Sequence, residues 1–401
     1  METARTITLY DDGSVREFAA KVLSCEEVNN EENTLYAVIL DKTAFFPEGG
    51  GQCCDGGTID DVAVRDVQET NGVITHYVAE AFEVGSTVKG VIDYPDRYMR
   101  MQNHTAEHLL CSLIHAKYGF DNVGFHLDND EVTMDVSGFV PPEDLCEIEK
   151  RANEIIYENV PVTVSYPVGK ELEDLEYRSK LDLTDNVRIV TIEGYDVCAC
   201  CAPHVASTAQ IGIIKIIDSI PHRGGTRITM KAGVSAYRDY SKIHSSTVSL
   251  MALLSSKRYD TYDNASGLNE RYKNAIITIG TLKRQISESM TKAALEEIDA
   301  REDKSAPYVI FTDVIDDVGL RNLINEVTKK CGGVVIGFIK AEGGGYRYIA
   351  GTSNEKISLR ELAKNMSTVL SGRGGGSNQM IQGMVNAEKS DVEEFFAEYG
   401  L

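Results

Sequence analysis

The sequence predicts an α+β chain of several domains: a small N-terminal β-barrel, an α+β domain built around a metal site, a helical linker and a C-terminal α/β domain. Three observations predict it. Short β-branched and aromatic stretches, parted by Gly- and Asp-rich turns, fill residues 1–95. Two metal-ligand half-motifs, one at helical spacing, fall within residues 96–236. Apolar strands alternate with amphipathic helices in residues 301–401.

Residues 34–41, 72–80 and 87–93 read as barrel strands, with Asp55-Gly56-Gly57 as a turn between them. Residues 98–118 read as a helix closed by Gly119, a residue that takes the left-handed conformation needed past a helix end. Pro141-Pro142-Glu143 opens a second helix with Leu145, Ile148, Ala152, Ile155 and Ile156 on its apolar side. Residues 187–192 and 211–217 read as strands.

Residues 237–300 are polar and helix-prone, with an interruption expected near 263–267. Leu268, Tyr272, Ala275, Ile279, Leu282 and Ile286 alternate at spacings of four and three, a heptad seam that Ser289 ends. The seam predicts either a hairpin packed on its own protein or a linker that forms a homodimer; the C-terminal domain is the other candidate dimer surface. In residues 301–401, strands are expected at 308–315, 334–339 and 346–351, with helices at 318–330 and 358–370. Ser358 and Glu361 are spaced as a capping box.

The chain has 401 residues with 40 Lys and Arg against 62 Asp and Glu, a net charge of -22. Such an acidic total excludes tight, indiscriminate nucleic-acid binding, because that affinity comes from cations neutralising phosphates. Nearly all of the deficit falls before residue 237; beyond it, 21 basic residues meet 22 acidic ones. The C-terminal half is therefore expected to add weak, salt-sensitive docking. No apolar run approaches the ~18 residues of a membrane span, and the Met-Glu-Thr-Ala-Arg-Thr start has no signal-peptide core. Nine irregularly spaced cysteines without an export signal predict reduced thiols and a cytoplasmic protein.

His104-Thr105-Ala106-Glu107-His108 puts two imidazoles on one helical face. Some 90 residues later, Cys200-Cys201-Ala202-Pro203-His204 places a thiol and an imidazole four apart, with Cys198 and Cys201 as rivals of Cys200. The set His104, His108, Cys200 and His204 mixes nitrogen and thiolate donors, which suits Zn2+ rather than a hard cation. His104-x-x-Glu107-His108 also fits an H-x-x-E-H metalloprotease, with Glu107 as base. That reading leaves Cys200 and His204 unexplained, and Glu107 is expected to be a solvated helix residue.

Two glycine-rich stretches remain. Gly49-Gly50-Gly51-Gln52 lets the backbone approach a ligand or form a tight turn in the barrel. Ser371-Gly372-Arg373-Gly374-Gly375-Gly376-Ser377 lacks the Lys of a phosphate-binding P-loop, so NTP binding is not expected. A loop carrying one Arg can still meet a nucleic-acid backbone.

In this order, Gly-Gly-Gln at 50–52, His104-x-x-x-His108-Leu109-Leu110, Cys200-x-x-x-His204-Val205 and Arg373-Gly374-Gly375-Gly376 resemble the alanyl-tRNA editing proteins of the AlaX type, in their long form. These are related to the editing and C-terminal domains of alanyl-tRNA synthetase. The resemblance spans roughly residues 40–390 and implies that the last domain is of the DHH-associated type. It implies ATP-independent hydrolysis of the ester in tRNA(Ala) mischarged with serine, glycine being the second candidate. Zinc would be held by His104, His108, Cys200 and His204. Gly50, Gly51, Gln52 and His126 would line the substrate cleft, and Arg373, Gly374, Gly375 and Gly376 would grip tRNA. The sequence departs from the synthetases at Cys201-Ala202-Pro203 and at Gly124-Phe125-His126-Leu127, the latter a segment expected to line the pocket. The competing reading is a non-catalytic tRNA-binding protein with a structural zinc. The regional charge and the pattern of elements place the domains at 1–95, 96–236, 237–300 and 301–401.

Overall fold

The computed structural model describes residues 5–29, 34–128, 131–179 and 187–398. Two compact units form, Met1–Ser249 and Leu250–Leu401.

The first unit begins with a closed barrel of six strands: β1 (Glu17–Asn29), β2 (Thr34–Leu40), β3 (Gly57–Ile59), β4 (Val62–Thr70), β5 (Val73–Val78) and β6 (Thr87–Ile92), closing in the order β1-β2-β5-β4-β3-β6. The expected strands are β2, β5 and β6. β1 and β4 escape a period-two reading because their buried residues are interrupted by irregular register, with shifts at Val22/Ser24 and Val64/Asp66. Val38, Leu40, Phe45, Ile59, Val67, Ile74 and Val78 fill the interior. His76 lies among them, fully buried, between Val38 O at 3.1 Å and Thr43 Oγ1 at 2.8 Å.

Helix α1 (Tyr94–Tyr118) leaves the barrel directly after β6. It starts four residues before the expected point. Pro95 is tolerated in the first turn, where its missing N–H has no partner to lose, and the Asp93 side chain caps Asp96 N at 3.4 Å. Gly119 ends the helix in the left-handed region, as expected. Arg97 locks the helix to the barrel. Its guanidinium pairs with Asp55 and with Ala44 O, and Asp55 also accepts Phe46 N–H at 2.6 Å. Both charged side chains are almost fully buried.

A four-stranded antiparallel sheet packs beside α1: β7 (Asn122–Asp128), β8 (Glu131–Val136), β12 (Ile214–His222) and β13 (Gly225–Ala232), in the order β12-β13-β8-β7. Between β8 and β12 come α2 (Pro142–Glu158) and a small sheet of β9 (Val162–Ser165), β10 (Ile189–Ile192) and β11 (Asp196–Ala199). Leu109, Leu110, Leu127, Met134, Ile148, Ile155, Ile228 and Met230 form the shared core, and the expected apolar side of α2 faces it. The strand expected over 211–217 begins only at Ile214, because Thr208–Ile211 is a 3-10 turn.

Helices α3 (Gly233–Leu254) and α4 (Thr261–Ala300) follow. The expected break at 263–267 is wrong: those residues are helical, and the break lies between Leu254 and Thr261, where Ser255 takes a positive φ of 50°. One Gly costs ~1 kcal/mol and an Asn at most about 0.7 kcal/mol in a helix, too little to interrupt 40 residues. The seam is not covered by its own unit. Leu268, Tyr272, Ile279 and Leu282 are exposed, so the packed hairpin is corrected. The buried residues of α4 all lie in its C-terminal third: Ser287, Ala294 and Ile298.

The second unit ends in a five-stranded sheet: β14 (Tyr308–Phe311), β15 (Val335–Lys340), β16 (Tyr346–Gly351), β17 (Arg373–Gly376) and β18 (Met380–Val385), ordered β14-β15-β16-β18-β17. Only the β14–β15 pair is parallel. Its helices are α5 (Asp317–Val327), α6 (Leu359–Val369) and α7 (Lys389–Glu398). Ser358 precedes α6 but its side chain makes no capping bond. The Gly-rich stretch expected as a loop is the edge strand β17, all four residues exposed. No helix among the described residues is long and apolar enough to cross a membrane.

Candidate metal centre

His104 and His108 stand one turn apart on α1, on the face turned to the barrel and the cysteine segment. Cys200 follows β11, and the chain turns back through Pro203 to His204. One ligand atom from each of His104, His108, Cys200 and His204 lies within 4.8 Å of the others. The Cys200 Sγ is 3.5 Å from His104 Nε2 and 3.4 Å from His204 Nε2. Cys198 groups with His108 and Asp196 instead, and Cys201 is exposed beside the Gly50 turn. Neither rival joins the four.

All three rings are held by the nitrogen that faces away from the sulfur. His104 Nδ1 lies 2.8 Å from the Gln52 amide oxygen, and His108 Nδ1 3.1 Å from Asp196 Oδ2. His204 Nδ1 lies 3.0 Å from Thr105 Oγ1, whose own proton goes to Met101 O at 2.8 Å. An amide oxygen and a carboxylate only accept, and the Thr105 hydroxyl has spent its proton. Each Nδ1 therefore carries the hydrogen, and each Nε2 is left as a lone-pair donor. Asp196 is itself fixed by Arg178, which donates to both carboxylate oxygens at 2.8 Å.

The thiol and one of the imidazoles are already in metal-binding form. Burial works to raise the Cys200 thiol, but the imidazoles of His104 and His204 outweigh it and hold the thiol well below its usual range. Burial pushes His204 down to about 3, so its ring stays neutral. His108 runs the other way: burial lowers it, but Cys198 and the bond to Asp196 outweigh that and hold the ring well above its usual range, so a metal ion taken there would displace its proton.

Two further elements shape the site. Gly50 and Gly51 both have positive φ, 61° and 86°, and Gly49 and Gln52 exchange two backbone hydrogen bonds of 3.0 Å. This tight turn aims Gln52 at His104. It also lies against β7: Leu127 N donates to Gly51 O at 2.8 Å, and a Cβ on Gly51 would come within 2.5 Å of Phe125 O. On the other side, Arg188 donates to Cys200 O at 2.8 Å, Ala202 O at 2.9 Å and Asp11 at 2.7 Å, clamping the ligand loop.

Gln52 is 2% exposed and its side-chain oxygen is taken by His104, so it orients the ring of a candidate ligand. His126 is exposed on the face of β7 opposite Phe125 and Leu127; the residue that meets the centre is Phe125, with its ring 4.6 Å from that of His104. Glu107 is not solvated but 3% exposed. No carboxylate joins the four-residue group among the described residues, so the third ligand of an H-x-x-E-H protease is missing. Arg373, Gly374, Gly375 and Gly376 lie on β17 of the second unit. Asp196, Thr105, Arg178 and Arg188 carry no sequence signal of their own, although Thr105 lies inside the His104–His108 motif and Asp196 stands four residues before Cys200.

Comparison with known proteins gives three matching family models. Residues 2–96 match tRNA synthetases class II (A), residues 187–231 the threonyl and alanyl tRNA synthetase second additional domain, and residues 305–399 the DHHA1 domain. The alanyl-tRNA editing protein AlaX-L of Pyrococcus horikoshii is 29% identical over 96% of this chain and 95% of its own length. The alanine–tRNA ligases of Methanococcus maripaludis and Methanopyrus kandleri are 26% and 29% identical over 98% and 94% of this chain. The chain spans only 43% and 42% of those two ligases. With the matched domains in this order and near-complete overlap with AlaX-L, the chain resembles the alanyl-tRNA editing proteins of the AlaX long form over nearly its whole length, and carries domains also matched in threonyl and alanyl tRNA synthetases.

Proposed function

We propose that this protein is a zinc-dependent aminoacyl-tRNA deacylase that clears serine, and secondarily glycine, from tRNA(Ala). The observation that carries the reading is the common orientation of His104, His108 and His204, with every Nδ1 tied outward and Cys200 among the ring nitrogens. With Zn–N of ~2.0–2.1 Å and Zn–S of ~2.3 Å, a tetrahedron has N···S edges of ~3.5 Å. The Cys200 edges of 3.5 and 3.4 Å match it, and the donor set suits zinc.

Bound zinc supplies Lewis-acid polarisation of the ester carbonyl and of water. The chain's own groups supply position. Gln52, Asp196 and Thr105 keep the rings from rotating, the Gly50-Gly51 turn and Phe125 wall one side, and Arg188 fixes the loop carrying Cys200. Water oxygen attacks the ester carbon, the bond to the ribose oxygen breaks, and that oxygen takes up a proton. An aminoacyl ester is already labile, so orientation and modest polarisation suffice. The biological need is physical: serine is alanine plus a hydroxyl, which an apolar synthetic site rejects poorly.

Docking of tRNA is assigned to the second unit, where Arg373 lines a cavity of about 320 Å³ with Gly343, Ser371, Gly372, Met384 and Asn386. Deleting residues 301–401 should weaken tRNA affinity more than it slows the chemistry. The direct test compares Ser-tRNA(Ala) with Ala-tRNA(Ala), with and without chelator; no chelator-sensitive preference for the seryl ester would sink the reading. One observation favours a second reading: four protein ligands make a closed site. A purely structural zinc predicts tRNA binding with no deacylation.

A further inference from the structure

Glu107 sits between the two ligands of α1 and has no part in the scheme above. It is 3% exposed. Its Oε1 accepts hydrogen bonds from Asn122 Nδ2 and, at 3.1 Å, from Cys111 Sγ. Its Oε2 lies 4.0 Å from His108 Nε2, the nitrogen on the metal side of that ring. Glu107 is nonetheless outside the group of atoms that lie within 4.8 Å of one another, so it borders the centre without completing it.

Its surroundings differ from those of the neighbouring carboxylates. The other buried carboxylates of this region have their own cations: Asp196 takes Arg178 on both oxygens, and Asp55 takes Arg97. Among the described residues no Lys or Arg forms an ion pair with Glu107, and its one basic neighbour is the metal-side nitrogen of His108 at 4.0 Å. A carboxylate removed from water is costly unless a cation or several donors meet it. Its Oε1 has two donors, while Oε2 faces the site. An aminoacyl ester brings a cation to that place, because its α-ammonium is separated from the reacting carbonyl carbon by a single carbon.

Building on the deacylase reading, we propose that Glu107 anchors the α-ammonium of the aminoacyl group, so that the site takes esters of free amino acids and rejects N-blocked ones. The hydrogen bond is charge-assisted on both sides and short-range. It places the carbonyl at the centre for any amino acid and leaves side-chain selection to other groups.

The test is hydrolysis of Ser-tRNA(Ala) and N-acetyl-Ser-tRNA(Ala) by wild type and E107Q, with metal content and melting temperature measured alongside. Glutamine keeps the size and the Oε1 acceptor for Asn122 and Cys111 while removing the charge. Wild type should favour the unblocked ester by at least about tenfold, the scale of one charged hydrogen bond. In E107Q the ratio should fall to near one, chiefly through a higher KM for the unblocked ester. E107Q with the wild-type ratio overturns the proposal, as does a variant that loses metal while keeping the ratio. If E107Q melts early, the same ratio is read in E107D, which keeps a carboxylate but withdraws it by one methylene. A partial fall supports the anchor and an unchanged ratio overturns it. Wild type that cleaves both esters equally overturns this inference alone; wild type that cleaves neither overturns the deacylase reading and the inference with it.

Discussion

The amide oxygen of Gln52 lies 2.8 Å from Nδ1 of His104, so a turn of the barrel holds a ligand on the first helix. Removing that hold should loosen the metal. Q52A is expected to lower zinc affinity about 10–100-fold, the usual cost of losing an outer partner of a ligating imidazole. Competition titration against a chromogenic chelator reads this, and unchanged affinity would show the contact to be incidental.

Asp196 is the corresponding partner of His108, but it also neutralises Arg178. D196A should therefore cost stability as well as affinity. Breaking a buried charge pair from one side costs about 3–5 kcal/mol; Arg178 keeps 19% of its side-chain surface, so the lower end is expected in urea unfolding. A variant as stable as wild type would mean that water replaces the carboxylate freely.

The turn glycines are not equivalent. A Cβ on Gly51 would meet Phe125 O at 2.5 Å, whereas on Gly50 the nearest atom is Cys201 Sγ at 3.4 Å. Both positions have positive φ, so each alanine carries strain of ~1–3 kcal/mol, but only G51A should also push the turn off β7 and displace Gln52. Zinc affinity should fall in G51A and hold in G50A; equal behaviour would contradict the assignment.

His76 predicts a pH dependence of the barrel. Burial lowers its pKa from 6.5 to about 4, against a raising contribution from Val38 O. The unfolded chain therefore takes up this proton first as pH falls. The neutral ring's contribution is complete above about pH 6.5 and is lost as pH drops toward about 4. At 1.36 kcal/mol per pKa unit the loss is of order 3 kcal/mol. Urea unfolding at pH 7 and pH 5 should show a steeper loss in wild type than in H76Q, and parallel losses would refute it.

What could be read in advance was what is local. His104 with His108, and Cys200 with His204, are each four residues apart, so spacing alone exposes them. Gln52, Thr105, Asp196 and Arg188 reach the same centre across 52, 99, 88 and 12 residues respectively, and only the folded barrel and sheet bring them there. In the segment 124–127, His126 and Phe125 point to opposite faces of one strand and it is Phe125 that meets His104, so a one-residue shift inverts the assignment. Polar residues on helices usually face solvent, but Glu107 is buried and its Oε1 meets Asn122 on β7, a contact that helical spacing does not show. The heptad seam was legible, but its lack of cover within its own unit was not.

The central claim joins a zinc ion at His104, His108, Cys200 and His204 to ester hydrolysis. It is tested most directly by measuring zinc content and Ser-tRNA(Ala) deacylation on the same purified protein, before and after chelation and after zinc is returned. The account predicts about one zinc per chain and activity that is lost with the metal and recovered with it. Full deacylation by metal-free protein would contradict it, as would stoichiometric zinc with no deacylation.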